Sequence, residues 1–210
     1  MSPARRGVYP VGKRLIDVLV SGLGLVAGAP VMGAVAVAVR RDLGSPVLFR
    51  QPRPGQHGKP FELIKFRTMR TLGADDGVAN DADRLTVLGR RLRSTSLDEL
   101  PTLWNVFRGD MSLVGPRPLL MEYLERYTPA QSRRHDVRPG VTGLAQVRGR
   151  NALTWDEKFA ADLEYVQNLG PGMDARILTA TVAAVLRRKG ISAEGTATMP
   201  LFQGSERSAG

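Results

Sequence analysis

The chain has no cysteine and, among its 210 residues, only two histidines, His57 and His135. A disulfide framework and thiolate metal sites are thereby excluded, and a histidine-based zinc centre lacks ligands. Aromatic residues make up 6% of the chain and are not interleaved with cations, which argues against a base-stacking platform for nucleic acid. No acidic residue precedes Asp17. Neither the Walker spacing nor a strand–GxGxxG–helix unit occurs, so P-loop and dinucleotide enzymes are disfavoured. Internal repeats and low-complexity tracts are missing too.

What is present begins with residues 18–39, an uncharged run interrupted by Pro30. Arg5, Arg6, Lys13 and Arg14 precede it; Arg40, Arg41, Arg50 and Arg53 follow. Basic flanks mark the cytoplasmic side of a bilayer, and here both ends carry that mark. A straight helix over the run would rise about 33 Å, enough for a hydrocarbon core of about 30 Å. The two arms, 18–29 and 31–39, would rise only about 18 and 14 Å. Pro30 removes a backbone donor and favours a bend. The sequence therefore predicts a helix–break–helix hairpin at Ala29–Pro30 that enters one leaflet and returns. A straight transmembrane anchor, a buried helix of a soluble domain and a signal peptide are the alternatives. The last is opposed by an apolar region longer than about 7–15 residues and by Arg40-Arg41 directly after it.

A net charge of +10 calls for an anionic partner: nucleic acid, anionic lipid or a phosphate-bearing substrate. The length suits one globular domain plus a membrane segment. The expected division is an N-terminal segment with the hairpin (1–41), a membrane-associated catalytic domain (42–202) and a tail (203–210). The fold class expected is α+β, mainly helical, with a small antiparallel β-hairpin and interfacial amphipathic helices. Residues 47–49 and 61–66 are strand-like around the turn-rich 52–60, and 72–82 is a polar loop. Helical spacing appears over 84–92, 119–127, 155–169 and 173–189. The last has Asp174 in its first turn and Arg187, Arg188 and Lys189 in its last, in agreement with the helix dipole. Such a helix either packs on a core or lies in the headgroup plane.

The chemistry concentrates in Ser96-Leu97-Asp98-Glu99-Leu100-Pro101. Ser96 with Glu99 reads as a capping box. Pro101 would then be the fifth helical residue, so the helix is expected to start near Pro101 instead. Asp98 and Glu99 would sit just before its positive end, where anions are favoured. Two adjacent carboxylates ionise together only with cations beside them. Arg90, Arg91, Arg93, Arg108 and Arg117 are the candidates. A solvated Asp-Glu pair remains the plain alternative. Gly115-Pro116-Arg117-Pro118 reads as a rigid turn in which Pro116 and Pro118 present one guanidinium to a phosphate or carboxylate, or as a structural loop. Arg138-Pro139-Gly140 and Arg148-Gly149-Arg150-Asn151 add glycine-spaced cations suited to phosphate. Lys65 and Arg67 either line the site or decorate a strand.

These residues resemble the bacterial sugar transferases that are small monotopic phosphoglycosyl transferases. The likeness runs over residues 13–202. It is carried by Lys13-Arg14-Leu15-Ile16-Asp17, Lys65-Phe66-Arg67-Thr68-Met69, the Ser96–Pro101 stretch with Leu103-Trp104-Asn105-Val106, and Gly109-Asp110-Met111-Ser112-Leu113-Val114-Gly115-Pro116-Arg117-Pro118. Thr142-Gly143-Leu144-Ala145-Gln146-Val147 and Gly149-Arg150-Asn151 continue it. The resemblance implies transfer of a sugar 1-phosphate from a UDP-sugar to undecaprenyl phosphate, with release of UMP, as the first membrane step of a glycoconjugate pathway such as exopolysaccharide, capsule, O-antigen or glycoprotein glycan. It implies Asp98 as nucleophile, Glu99 as its partner, and Mg2+ held by Asp98 and Glu99. Arg93, Arg117 and Arg150 would contact phosphates and nucleotide. The expected location is the cytoplasmic face of the bacterial inner membrane, as a monomer or homodimer, with no nucleic acid partner. A membrane-tethered nucleic-acid-binding protein and a noncatalytic scaffold are the competing classes. In three places the sequence departs from the family pattern. Ala29 replaces the usual small polar residue before Pro30, Thr102 stands where glutamine is common, and Pro52 and Pro54 stiffen the hairpin loop.

Overall fold

The uncharged run lies inside one long helix. The computed structural model describes residues 4–70, 81–149, 152–186 and 201–204, and in it α1 (Ala4–Leu43) continues through both Pro10 and Pro30. Ala29 and Pro30 therefore do not separate two elements. Pro30 removes a single N–H, and the helical bonds on either side are not lost with it. One face of α1 is buried, with Asp17, Ser21, Val35 and Val39 recurring at helical spacing. The opposite face exposes Leu15, Leu19, Leu23, Val26, Val31 and Val37. Among the described residues α1 alone is long and apolar enough to cross a membrane.

Polar groups fix α1 to the rest of the molecule at both ends. The Asp17 carboxylate accepts the Leu113 N–H at 3.0 Å. The Arg14 guanidinium donates to the carbonyls of Val106 and Phe107 at 2.6 and 2.7 Å. Asp174 accepts from Tyr9 at 2.6 Å, from Tyr165 at 2.8 Å and from Lys13. At the far end, Val35 and Val39 form a core with Phe66 and Leu92.

The β-hairpin is antiparallel as expected, but longer. β1 (Leu48–Pro54) pairs with β2 (Pro60–Phe66), from Leu48 opposite Phe66 to Pro54 opposite Pro60. Pro52 and Pro54 are tolerated because each strand of a two-stranded sheet has a free edge and needs only half its donors. Helix α2 (Asp81–Arg84) precedes α3 (Val87–Thr95), whose N-cap Thr86 accepts the Gly89 N–H. A 3₁₀ turn over Leu97–Glu99 leads to α4 (Thr102–Arg108), which starts after Pro101.

Two short strands, β3 (Ser112–Val114) and β4 (Gly140–Thr142), pair in parallel. Three residues are too few for a periodic pattern, so the sequence carried no sign of them. Residues 119–127 form a tighter 3₁₀ helix over Met121–Arg126, followed by α5 (Pro129–Ser132) and, after β4, α6 (Leu144–Arg148). α7 (Trp155–Gln167) begins with a full capping box between Thr154 and Glu157. α8 (Pro171–Leu186) follows. The three cations expected in its last turn lie outside the described residues, as does most of the polar loop over 72–82.

α7 and α8 join β3 in a core of Val114, Leu144, Ala161, Tyr165 and Ile177. A separate aromatic cluster encloses Phe202, whose ring lies 5.0 Å from Phe159, 5.5 Å from Trp155, 5.6 Å from Tyr123 and 5.9 Å from Tyr127. Its backbone is held as well: the N–H donates to Tyr123 Oη at 3.1 Å and the carbonyl accepts from Arg126. Phe202 is 2% exposed. Truncation there opens a cavity with no neighbour free to fill it. Phe202→Ala is expected to lower unfolding free energy by about 3–5 kcal/mol, read by urea denaturation in detergent.

Candidate active site

Asp98 sits in the turn between α3 and α4, and the conformation of Ser96 sets its direction. Ser96 adopts φ 58°, ψ 17°, and its N–H closes the end of α3 on the Arg93 and Leu92 carbonyls. The capping box with Glu99 is thus not formed: Ser96 ends one helix rather than starting the next. A left-handed non-glycine residue reverses the chain within one step, so Leu97–Glu99 turns back onto the hairpin. α4 is pinned to the same hairpin. Thr102 Oγ1 donates to the Ile64 carbonyl at 2.8 Å, and Asn105 accepts the Ile64 N–H at 3.1 Å while donating to the Glu62 carbonyl at 2.8 Å. Thr102, given no role by the sequence, thus ties the turn that carries Asp98 to β2.

Asp98 is 5% exposed. Burial and the neighbouring Glu99 raise its pKa above the usual carboxylate range, while Lys65, Arg93 and Arg117 pull it down. Lys65 is pushed down to about 8, first by burial and then by Arg93 and Arg117. Five of the expected residues therefore share one electrostatic neighbourhood: Lys65, Arg93, Asp98, Glu99 and Arg117. Glu99 accepts from Arg117 Nη2 at 2.8 Å. Arg93 Nε donates to Thr68 Oγ1 at 3.1 Å.

Arg117 owes its position to a backbone crossing. The Gly115 N–H donates to the Thr142 carbonyl and the Gly140 N–H to the Pro116 carbonyl, both at 2.9 Å. A Cβ on Gly115 would stand 2.4 Å from the Arg138 carbonyl oxygen, and one on Gly140 only 2.1 Å from the Gly115 nitrogen. Only glycine permits that approach. Pro116 and Pro118 are buried on either side of the exposed Arg117. Beneath the loop, Arg134 donates to the Arg117 carbonyl at 2.7 Å, pairs with Asp162 at 2.7 Å, and stacks against Tyr127 and Phe159.

Arg67 stands apart from this group. Its guanidinium is spent on the carbonyls of Leu43, Gly44 and Ser45, where it caps the end of α1. A helix end leaves carbonyls without partners, and a buried arginine from the adjacent strand supplies donors. Arg150 lies outside the described residues. The sequence also missed Arg134: its support of the Arg117 loop depends on a tertiary pair with Asp162, for which no local signal exists.

The family model described as bacterial sugar transferase matches residues 8–188. The chain belongs to the bacterial sugar transferase family. It is 48% identical over 194 residues to a Bacillus subtilis protein named uncharacterized sugar transferase EpsL, covering 92% of this chain and 96% of that one. It is 41% identical over 195 residues to the UDP-glucose:undecaprenyl-phosphate glucose-1-phosphate transferase of Caulobacter vibrioides, covering 88% and 73%. A third relative, the undecaprenyl-phosphate galactose phosphotransferase of Salmonella typhimurium, is 41% identical over 197 residues. The alignment covers 85% of this chain but 41% of that longer protein. This member of the family is thus a transferase.

A carboxyl whose folded pKa is raised favours its protonated form in the fold. That contribution to stability is complete below the unfolded pKa and is lost as pH rises through the folded one. Ionised Asp98 accordingly costs stability in the metal-free protein. Asp98→Asn is expected to raise the melting temperature at pH 7–8 in the presence of a chelator, and the gain should shrink as pH falls through 5 towards 4. Equal melting curves at all pH values would contradict the burial argument.

Proposed function

We propose that the chain transfers a sugar 1-phosphate from a UDP-sugar to undecaprenyl phosphate, releasing UMP, through an intermediate on Asp98. The observation that carries this reading is a buried carboxylate next to a second one, faced by Lys65, Arg93 and Arg117. Its support from relatives is their named reactions, in which undecaprenyl phosphate accepts the phosphosugar.

In the first step an Asp98 carboxylate oxygen attacks the phosphorus that bears the sugar. A P–O bond forms, the bond from that phosphorus to the bridging oxygen breaks, and UMP departs with the electron pair. In the second step an oxygen of the lipid phosphate attacks the same phosphorus, and the bond to Asp98 breaks. The product is a lipid diphosphosugar, and the carboxylate is restored. Covalent catalysis of this kind divides one exchange between two bulky anions into two easier ones. Lys65, Arg93 and Arg117 offset the charge of the incoming diphosphate and stabilise the charge that shifts onto UMP. Arg117 is also held by Glu99, which orients its guanidinium before substrate arrives.

Magnesium fits the donor set. Mg2+ commonly takes one or two carboxylates and completes its shell with water and substrate phosphates. Asp98 and Glu99 provide that pair, and a cation would relieve the repulsion between them. Bound there, the ion would neutralise diphosphate charge.

We place the chain at the cytoplasmic face of the inner membrane, with the exposed apolar face of α1 in the lipid. Residues 26–31 support this: Val26, Ala27, Ala29, Pro30 and Val31 are exposed, whereas both flanking stretches reach the domain. Trp104 and Phe107 are exposed on α4 with rings stacked 5.8 Å apart, and α4 packs along α1, so this pair would meet the membrane interface. The acceptor's phosphate lies at that level, which is where the reaction needs the nucleophile. Exopolysaccharide or another surface glycan is the pathway this chemistry would serve.

Incubation with a panel of UDP-sugars, without acceptor, should yield UMP in one burst and a sugar-phosphate mass adduct on the peptide containing Asp98. Asp98→Asn should lower UMP release by about 10³-fold or more, as expected for loss of a covalent nucleophile. An adduct on another side chain would remove the mechanism. Activity also depends on the Lys65 ammonium in this reading. kcat/KM for the UDP-sugar should therefore fall as pH rises through about 8, and Lys65→Arg should shift that fall to higher pH.

A further inference from the structure

Arg53 is a cation that the reaction above does not use. It lies on β1 opposite Phe61, two residues beyond Gln51 and four beyond Phe49. Alternation puts Phe49, Gln51 and Arg53 on one face of the hairpin, together with Lys65, the cross-strand partner of Phe49. The Lys65 ammonium lies 5.3 Å above the Phe49 ring. At ~3.3 Å per residue, Arg53 starts about 13 Å further along the strand. Arg117 is a charge neighbour of both Lys65 and Arg53. The three cations thus follow one another along the hairpin, with Asp98 and Glu99 beside Lys65 and Arg117.

Arg53 has no carboxylate partner among the described residues. Its Nη2 donates to Gln51 Oε1 at 2.6 Å, Nη1 reaches the Pro118 carbonyl at 3.4 Å, and Nε is enclosed without an acceptor. Its other neighbours are Arg117 and the phenols of Tyr123 and Tyr127. Burial and Arg117 bring its pKa down to about 10, which still leaves the guanidinium charged at neutral pH. An enclosed charge next to a like charge is costly unless an anion offsets it. Arg67 and Arg134 meet that need with helix-end carbonyls and with Asp162; Arg53 has one amide oxygen and a long contact. The Pro118 carbonyl places it directly beside the loop that carries Arg117. Arg53 is half-buried. Its two terminal nitrogens carry four N–H donors, of which the two contacts above use two, and a phosphoryl group offers matching acceptors for the others.

We propose that Arg53 is a further phosphate-binding arginine, which with Arg117 grips a phosphoryl group on the side of the site away from Asp98. The inference rests on the transfer reaction proposed above and adds a residue to its substrate site. The phosphoryl oxygens belong either to the nucleotide diphosphate or to the lipid acceptor.

The test uses the full chain in nanodiscs, with Arg53→Gln, Arg53→Lys and, as control, Arg50→Gln. Arg50 is exposed, pairs with Glu62 at 2.7 Å and lies on the hairpin's other face. Pyrophosphate is titrated by calorimetry, and KM is measured separately for the UDP-sugar and for undecaprenyl phosphate. Both Arg53 variants should weaken pyrophosphate binding by about 10-fold or more, as loss of a charge-assisted pair implies, with the control unchanged. A rise in KM for the UDP-sugar alone assigns the phosphoryl group to the nucleotide, and a rise for the lipid alone assigns it to the acceptor. Should Arg53→Gln fail to fold, Arg53→Lys carries the test, since it keeps the charge and loses the fork. Wild-type affinity and both KM values retained in Arg53→Lys would overturn the proposal, as would absence of pyrophosphate binding to the wild type. If pyrophosphate binds through Arg53 yet no UDP-sugar yields UMP, the anion site stands and the proposed reaction falls.

Discussion

A buried carboxylate beside a second carboxylate is the constraint around which this structure is arranged. Asp98 gains from neither its burial nor Glu99, so cations must converge on it from elsewhere in the chain. They come from three places distant in sequence: Lys65 from a β-strand, Arg93 from the last turn of α3, and Arg117 from the loop after β3. Each of these elements is bonded to another. Thr102 and Asn105 hold α4 to β2, and the Gly115–Gly140 crossing sets the Arg117 loop against β4.

The same supports reach α1. Asp17 of α1 accepts the N–H of Leu113 within β3, and Arg14 closes the end of α4. Arg67, adjacent to the strand that bears Lys65, closes the end of α1. The helix that carries the apolar face and the elements that carry Asp98 and its cations are therefore anchored through common residues. The position of that apolar face and the position of the carboxylate cannot vary independently. In the proposed reaction, an acceptor whose phosphate lies at a fixed height would make that coupling useful, because Asp98 would need no search along the membrane normal.

Legibility followed the range of the interactions. Local chemistry was readable: the hairpin, the start of α4 after Pro101 and the Asp98–Glu99 pair all rest on neighbours within a few residues. Motif resemblance pointed to Arg93 and Arg117, which spacing left open, while Lys65 stayed open between site and strand surface; all three charges converge on Asp98. Arg67 was misjudged because a strand arginine gives no sign of whether it meets solvent, substrate or a helix end. Ser96 was readable only in part: three residues before a glutamate it looks like a cap, Pro101 moved the expected helix start past it, and its closing of α3 gave no local signal. Arg134 and Phe202 were silent for another reason. Their partners lie in distant segments, and neither a buried ion pair nor an aromatic cage has a period.

The basic composition also resolves into parts. A net charge of +10 suggests one anionic surface, yet several arginines are consumed internally: Arg14 and Arg67 on helix ends, Arg134 on Asp162, Arg138 on the Gly109 carbonyl at 2.9 Å. Such cations stabilise the fold by satisfying carbonyls and contribute little to recognition. Those that remain exposed near the end of α1 are a separate set. Arg40 and Arg41 follow the apolar face, while Arg90 and Arg91 lie on α3, whose Leu88 and Leu92 pack against Val35 and Val39. Each cation held near an anionic leaflet contributes about 1 kcal/mol. Four at one edge of an apolar helix would therefore orient the molecule as well as hold it, because rotation about the helix axis would carry them away from the headgroups.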